Sequence, residues 1–307
     1  MQRILEPGQI EAFAQRTIPR LRLPDRAHVF SMRADRLRKL SENGAIGHAI
    51  GDYLRLMATV ADGQQAALAS IKATLPSSEQ IAHAQTYGMP LVLATGWSRE
   101  NHWRNVLGQL CDSVAALPDL PASAHVVCDL LRCSRPEQIE IQADALLAGQ
   151  APAVDVATAP FVMAALQVYW VDLASRFGAQ DLADLGVPGV CPVCGTRPVA
   201  SVVRADPRSQ GFRYLHCALC ATEWHLVRVT CSHCQSTKGI TYQSIEGGAD
   251  AIRAECCDTC RTYRKILYQE KDTSVEPVAD DLASLALDLL LSEAGYHRAS
   301  SNPLLWQ

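Results

Sequence analysis

Between Cys191 and Cys260 the chain places nine of its twelve cysteines, eight of them in four C-x-x-C pairs: Cys191/Cys194, Cys217/Cys220, Cys231/Cys234 and Cys257/Cys260. The last two pairs repeat the first two at a constant offset of 40 positions, which marks an internal duplication. The same offset aligns Arg213 with Arg253 and Thr222 with Thr262. Two residues between cysteines let a tight turn, a knuckle, aim both sulfurs at one point, and two knuckles complete a tetrahedral S4 set. The 22 residues between paired knuckles leave room for a β-hairpin or three-stranded ribbon that folds back. A unit this short buries too little apolar surface to fold alone, so bound metal would supply most of its stability.

The expected ligand sets are Cys191, Cys194, Cys217 and Cys220, and then Cys231, Cys234, Cys257 and Cys260; a crossed pairing of knuckles from different units stays open. Disulfides or a thioredoxin-like pair compete with this reading, but the latter needs a βαβ setting that is not visible here. Tetrahedral thiolate geometry suits zinc and mononuclear iron alike. A rubredoxin-type knuckle prefers glycine after its second cysteine, where φ is positive. Gly195 fills that place once, whereas Ala221, Gln235 and Arg261 follow the other three pairs. Cys256 is a spare thiol, expected to be packed, with a reactive or alternative-ligand role as the competing reading. His216, His225 and His233 are expected at the surface or behind the ligands.

The remaining composition is that of an ordinary soluble chain: 307 residues, 48% hydrophobic and 20% charged, enough for two domains. A net charge of -4 argues against binding nucleic acid through phosphate contacts. Between 191 and 270 cations outnumber anions ten to seven, an excess that two metal-tetrathiolate groups would offset. The opening MQRILEPGQI has no signal-peptide pattern, and apolar stretches break before the ~18 to 20 residues of a membrane span. With paired, reduced thiols, this points to the cytoplasm.

Residues 1–185 read as a helical domain, 186–228 as a first metal-binding unit and 229–307 as a second with a C-terminal helix, an α+β architecture overall. Short helices are expected from Pro7 to Thr17 and from Pro24 to Asn43, the latter with a wet face carrying Arg33, Arg36, Arg38 and Lys39. The competing reading of that face is a dock for an acidic segment. Ala45 to Leu75 has helical periodicity with a possible break at Asp62-Gly63. Ser78 and Ser98 are candidate N-caps for helices over Glu79–Tyr87 and Arg99–Ala116, and Ser134 with Glu137 suggests a capping box. Asp155 to Gly178 is the most apolar helix and is expected at the domain's centre. Cys111, Cys128 and Cys133 lack ligand spacing and are expected to be small buried hydrophobes. His28, His48, His83, His102 and His125 show no paired spacing. Asp280 to Glu293 is a last helix that could pack on the helical domain or clasp the metal units, and the tail SNPLLWQ is expected to dock.

A helical region followed by CPVCGTRP, RYLHCALCATEWH, RVTCSHC and AECCDTCRTYRK, with the tail GYHRASSNPLL, resembles the FdhE family of formate dehydrogenase accessory proteins. The resemblance covers essentially the whole chain. It implies a helical domain joined to two rubredoxin-like domains, with Cys191, Cys194, Cys217, Cys220, Cys231, Cys234, Cys257 and Cys260 as ligands to two iron ions, zinc being the alternative. It also implies a cytoplasmic, non-enzymatic maturation factor that binds the catalytic subunit of a molybdenum or tungsten formate dehydrogenase before export. From the residues alone, a rubredoxin-like electron carrier and a zinc-ribbon nucleic-acid module are the alternatives. No Walker loop, dinucleotide fingerprint, G-x-S-x-G or H-E-x-x-H supports an enzyme.

Overall fold

The computed structural model describes residues 18–43, 47–118, 122–150, 154–207 and 209–306. The helix expected from Pro7 to Thr17 lies outside them. A two-residue strand β1 (Leu21–Arg22) precedes α1 (Val29–Ser41), α2 (His48–Ser70), α3 (Ser78–Tyr87), α4 (His102–Ala115), α5 (Ala122–Cys133), α6 (Pro136–Leu147) and α7 (Ala159–Ala174). Strands β2 (Pro198–Val203), β3 (Arg213–Cys217), β4 (Glu223–His225), β5 (Ile240–Gln243), β6 (Ile252–Cys257) and β7 (Thr262–Tyr268) follow. The chain closes with α8 (Pro277–Ala283), α9 (Leu285–Glu293) and β8 (His297–Arg298). Among the described residues no helix is long and apolar enough to cross a membrane.

All sixteen residues of α7 are buried, because a helix apolar on nearly every side must be enclosed on every side. α2, α4 and α6 pack around it. Its two strongly polar residues are both satisfied internally. Asp172 accepts from the backbone N–H of Ala73 at 2.8 Å, from Arg176 at 2.6 Å and from Arg26. Gln167 accepts from Arg33 at 3.1 Å and Gln64 at 3.0 Å while donating to the carbonyl of Ala218 at 2.7 Å. Buried polar groups so paired avoid the desolvation cost of leaving them bare.

Several expected boundaries move. α2 runs through Asp62-Gly63 unbroken, and Gly63 serves packing: a Cβ there would meet Leu110 Cδ2 at 2.9 Å and Ser113 Oγ at 3.2 Å on α4. α3 is capped by Ser77, whose hydroxyl accepts from the N–H of Gln80, and it ends at the left-handed Gly88. α4 begins after Asn101 rather than Ser98, with no side-chain cap. In α6 the expected box from Ser134 to Glu137 is absent; Gln138 accepts from the N–H of Arg135, and Ser134 donates back to Leu130. α5 has no counterpart in the sequence reading. The last helix is split at Ser284 into α8 and α9.

The wet face expected on α1 is half wrong. Arg33 and Arg36 are buried, Arg33 pairing with Glu276 at 3.0 Å and Arg36 with Asp280 at 2.5 Å. The acidic segment they dock is the chain's own α8. Glu276 also caps α8, accepting from the N–H groups of Val278 and Ala279. The tail docks as expected: Asn302 donates to Val278 and Asp281, and Tyr53 donates to the carbonyl of Leu304.

One sheet joins the two Cys-rich units, in the order β1-β4-β3-β2-β7-β6-β5, with β8 paired to β7. Each unit contributes an antiparallel ribbon, β2-β3-β4 and β5-β6-β7, and a parallel pairing of β2 with β7 stitches them together. Arg213 crosses that seam, buried, to Glu255 at 2.8 Å and to the carbonyl of Thr230 at 2.9 Å. At the other edge, Glu223 on β4 is surrounded by Arg204, Arg22 and the ring of His216. Burial would raise its carboxyl, but Arg204 and His216 outweigh it and hold it at about 2.

Two outcomes follow from these buried charges. Arg36→Met should destabilise the protein by about 3–5 kcal/mol, because it strands the Asp280 carboxylate. The double variant Arg36→Met/Asp280→Leu should recover most of that loss, and equal urea midpoints for single and double variants would refute the argument. For Glu223, a folded value below the ordinary 4.5 means stabilisation that is complete above pH 4.5 and lost as pH falls towards 2. Glu223→Gln should therefore cost about 3 kcal/mol at pH 7, with a deficit that narrows below pH 4.5; a deficit independent of pH would contradict it.

Candidate metal centres

Each C-x-x-C pair sits in a closed six-residue loop. In three of the four the first cysteine's N–H donates to the carbonyl five residues on: Cys191 to Thr196 at 2.9 Å, Cys217 to Thr222 at 2.9 Å and Cys231 to Ser236 at 2.8 Å. In the fourth, Cys257 faces Thr262 across the β6–β7 ladder. The residue after the second cysteine is left-handed in every loop: Gly195 has φ 75, Ala221 φ 56, Gln235 φ 64 and Arg261 φ 55. The glycine missing from three loops is thus not a missing conformation. Backbone N–H groups turn inward onto sulfur, Leu219 and Cys220 to Cys217 at 3.3 and 3.4 Å, and His233 and Cys234 to Cys231 at 3.4 Å.

Folding of the ribbons brings the knuckles together within each unit rather than across units. The four sulfurs of Cys191, Cys194, Cys217 and Cys220, and the four of Cys231, Cys234, Cys257 and Cys260, all lie within 4.8 Å of one another in their own set. A tetrahedral ion bound through metal–sulfur bonds of ~2.3 Å needs sulfurs about 3.8 Å apart. Of the six separations in each set, three in the first are 3.4, 3.5 and 3.6 Å and two in the second are 3.7 Å, the rest lying within 4.8 Å. Both sets therefore fit a single metal ion. Burial pushes the Cys191 and Cys220 thiols up, while hydrogen bonds from Cys191, Cys194 and Cys220 hold Cys217 down despite its own burial. A dication at the centre of the set would ionise all four.

The two sets differ in their surroundings. All four cysteines of the first are buried; in the second Cys234 is exposed and Cys260 half-buried. The helical domain supplies the cover. Its loop after α3 runs along the first knuckle like an added strand, Val92 N–H to the carbonyl of Val193 and Ala94 N–H to that of Cys194, both at 2.9 Å. Gly195 lets that loop approach closely, since a Cβ would lie 2.6 Å from Leu93 Cδ1 and 3.3 Å from Pro90 Cγ. The second knuckle of the set is held through Gln167 of α7 at the carbonyl of Ala218.

Other residues singled out from sequence fall outside these sets. Cys256 is packed between Tyr263 and α9, its thiol pushed up to about 11 by burial. His216 is buried and bonds Glu223, His225 is half-buried against the rings of Tyr214 and Phe212, and His233 is exposed. Cys111 and Cys128 are buried as expected, but Cys133 is exposed at the end of α5. Sequence reasoning aligned Thr222 with Thr262 but missed that a hydroxyl follows every second cysteine by two residues, at Thr196, Thr222, Ser236 and Thr262. The constant offset was the available signal.

Comparison with known proteins matches three parts of the chain to family models described as FdhE N-terminal over residues 18–187, FdhE central domain over 190–228 and FdhE C-terminal domain over 229–305. A curated FdhE homolog of Cronobacter sakazakii is 41% identical over 99% of this chain and 97% of its own, and one of Edwardsiella ictaluri is 43% identical over 93% and 91%. The crystal structure of the FdhE protein from Pseudomonas aeruginosa, 38% identical, superposes with a TM-score of 0.81 over 94% of this chain and 99% of that one. On full-length sequence similarity and on shared fold alike, the chain belongs to the FdhE family.

Proposed function

We propose that this chain is a non-catalytic maturation factor for formate dehydrogenase. Cys191, Cys194, Cys217 and Cys220 bind one metal ion, and Cys231, Cys234, Cys257 and Cys260 bind a second. In the cytoplasm the folded protein engages the enzyme's catalytic subunit before that subunit is exported. The observation that carries the reading is the pair of tetrahedral sulfur sets in a chain of the FdhE family. Four sulfurs close a site, which suits structure or electron transfer better than Lewis-acid catalysis. Iron is the proposed metal and zinc the alternative; the left-handed residue and inward N–H groups kept in the knuckles support a rubredoxin-like centre.

The client segment is placed where the helical domain, the first unit and the tail meet. A cavity of about 490 Å³ lies there, bordered by Leu147, Met163, Arg197, Leu219, Pro303 and Trp306. A second reading, a rubredoxin-like electron carrier, is favoured by one feature: Cys234 reaches the surface, so electrons could pass at the second site. A nucleic-acid role is disfavoured, because Arg213, Arg264 and Lys265 of the cationic excess are buried in internal bonds.

Protein purified without oxygen and without added metal should carry about two iron ions per chain with thiolate charge-transfer colour. Two zinc ions and no colour would end the electron-carrier reading and confine both centres to structure. A chelator should strip the second site well before the first. Cys191→Ser/Cys194→Ser should unfold far more of the chain than Cys231→Ser/Cys234→Ser, read by urea unfolding; the reverse order would contradict the burial argument. Affinity capture from a producing cell should enrich the formate dehydrogenase catalytic subunit, and Trp306→Ala should reduce it; no enrichment by the wild-type chain would sink the maturation reading.

A further inference from the structure

The hydroxyls two residues beyond the knuckles occupy equivalent sequence positions but unequal structural ones. Thr196 Oγ1 lies 3.1 Å from Cys194 Sγ and 3.0 Å from Cys217 Sγ, so one hydroxyl spans both knuckles of the first set. Cys220 Sγ donates to Thr222 Oγ1 at 3.2 Å, a direction that must reverse once the thiol loses its proton to a metal. In the second set Thr262 Oγ1 is 3.0 Å from Cys260 Sγ. Ser236, the duplicate of Thr196, has turned away: its hydroxyl meets Thr259 Oγ1 at 3.1 Å and the carbonyl of Lys238 at 3.2 Å.

We infer that Thr196, Thr222 and Thr262 are positioning residues that donate hydrogen bonds to the ligand sulfurs and set a different metal affinity and thiolate donor strength at each site. The inference rests on the reading that both S4 sets bind metal. A metal-bound thiolate has no proton, so a hydroxyl beside it can only donate. Such a bond draws charge off the sulfur, fixes its direction and lowers its filled donor orbital. Three sulfurs of the first set, Cys194, Cys217 and Cys220, lie within reach of a hydroxyl, against Cys260 alone in the second. Thr196 has a single proton for two sulfurs, so its bond is shared between them and ties the knuckle of Cys194 to that of Cys217. Thr222 is fully buried, which shields its bond from competing water.

The full chain, produced with cobalt in place of the native metal, tests this through its cobalt–thiolate charge-transfer bands and its rates of metal transfer to a chelator. Thr196→Val and Thr222→Val should shift first-site bands to lower energy and weaken metal binding there roughly 10- to 100-fold. Thr262→Val should do so only at the second, faster-releasing site, Thr196→Ser should restore wild-type behaviour, and Ser236→Ala should change nothing. A Thr196→Val or Thr222→Val protein that holds two cobalt ions with unshifted bands and unchanged release overturns the proposal, as does a Ser236→Ala effect as large as theirs. If Thr196→Val fails to fold, Thr222→Val and Thr262→Val decide by the same criteria. A wild-type chain that takes up no thiolate-bound cobalt would instead bring down the metal reading itself, and this inference with it.

Discussion

The structure turns on two backbone hydrogen bonds, from Val92 and Ala94 of the helical domain to the carbonyls of Val193 and Cys194. They pin the loop after α3 along the first knuckle, and Cys191, Val193, Cys194 and Leu219 lie in the same apolar cluster as α7. The first S4 set is therefore part of the domain core. The second unit has its own small cluster of Ala254, Cys256, Tyr263, Leu287 and Leu291. It reaches the rest of the protein through the β2–β7 seam and the C-terminal segment. Few buried contacts and exposed ligands mark regions that open locally, so the molecule grades from a fixed first site to a looser second one.

Buried charge gives the long-range ties their specificity. Arg33 to Glu276, Arg36 to Asp280, Arg213 to Glu255 and Lys265 to Asp288 each join segments far apart in sequence. An apolar patch would have allowed α8 to slide along α1, whereas a guanidinium facing a carboxylate fixes one register. These pairs also alter the charge ledger. Arg33 and Arg36, read from sequence as part of a wet face, are used inside the fold, which is why a count of charges along the chain misjudged α1.

What the sequence disclosed and withheld divides along physical lines. The gathering of eight cysteine sulfurs into two sets was legible because paired C-x-x-C spacing is a local constraint that few other structures impose, and α7 was legible because its apolar run admits only a buried helix. Three things depended on tertiary context. Gly63 looked like a breaker but is a helix-crossing contact. Ser134 with Glu137 looked like a cap but lost to the arrangement of Arg135 and Gln138. The difference in burial between the two sites arises from residues 92 to 94, a hundred positions before the first knuckle they cover. No local pattern could have reported it.

Duplication supplied two copies of one local code, and the surroundings made them unequal. Ala221, Gln235 and Arg261 each hold a left-handed backbone that costs roughly 1–2 kcal/mol without glycine. Such strain persists only where the neighbourhood over-determines it. Around Ala221 that neighbourhood is buried protein, with Gln167 holding the adjacent Ala218. Gln235 and Arg261 lie at the surface; Arg261 is held by the N–H of His297 at its carbonyl, by the carbonyl of Ala294 and by the ring of Tyr296, whereas Gln235 has the loop closure and the sulfur set around it. An ion drawing four thiolates to one point would then be the strongest restraint on the knuckle of Gln235. With an ion bound, metal binding and local folding would be nearly one equilibrium there, while at the first set the helical domain bears much of the load.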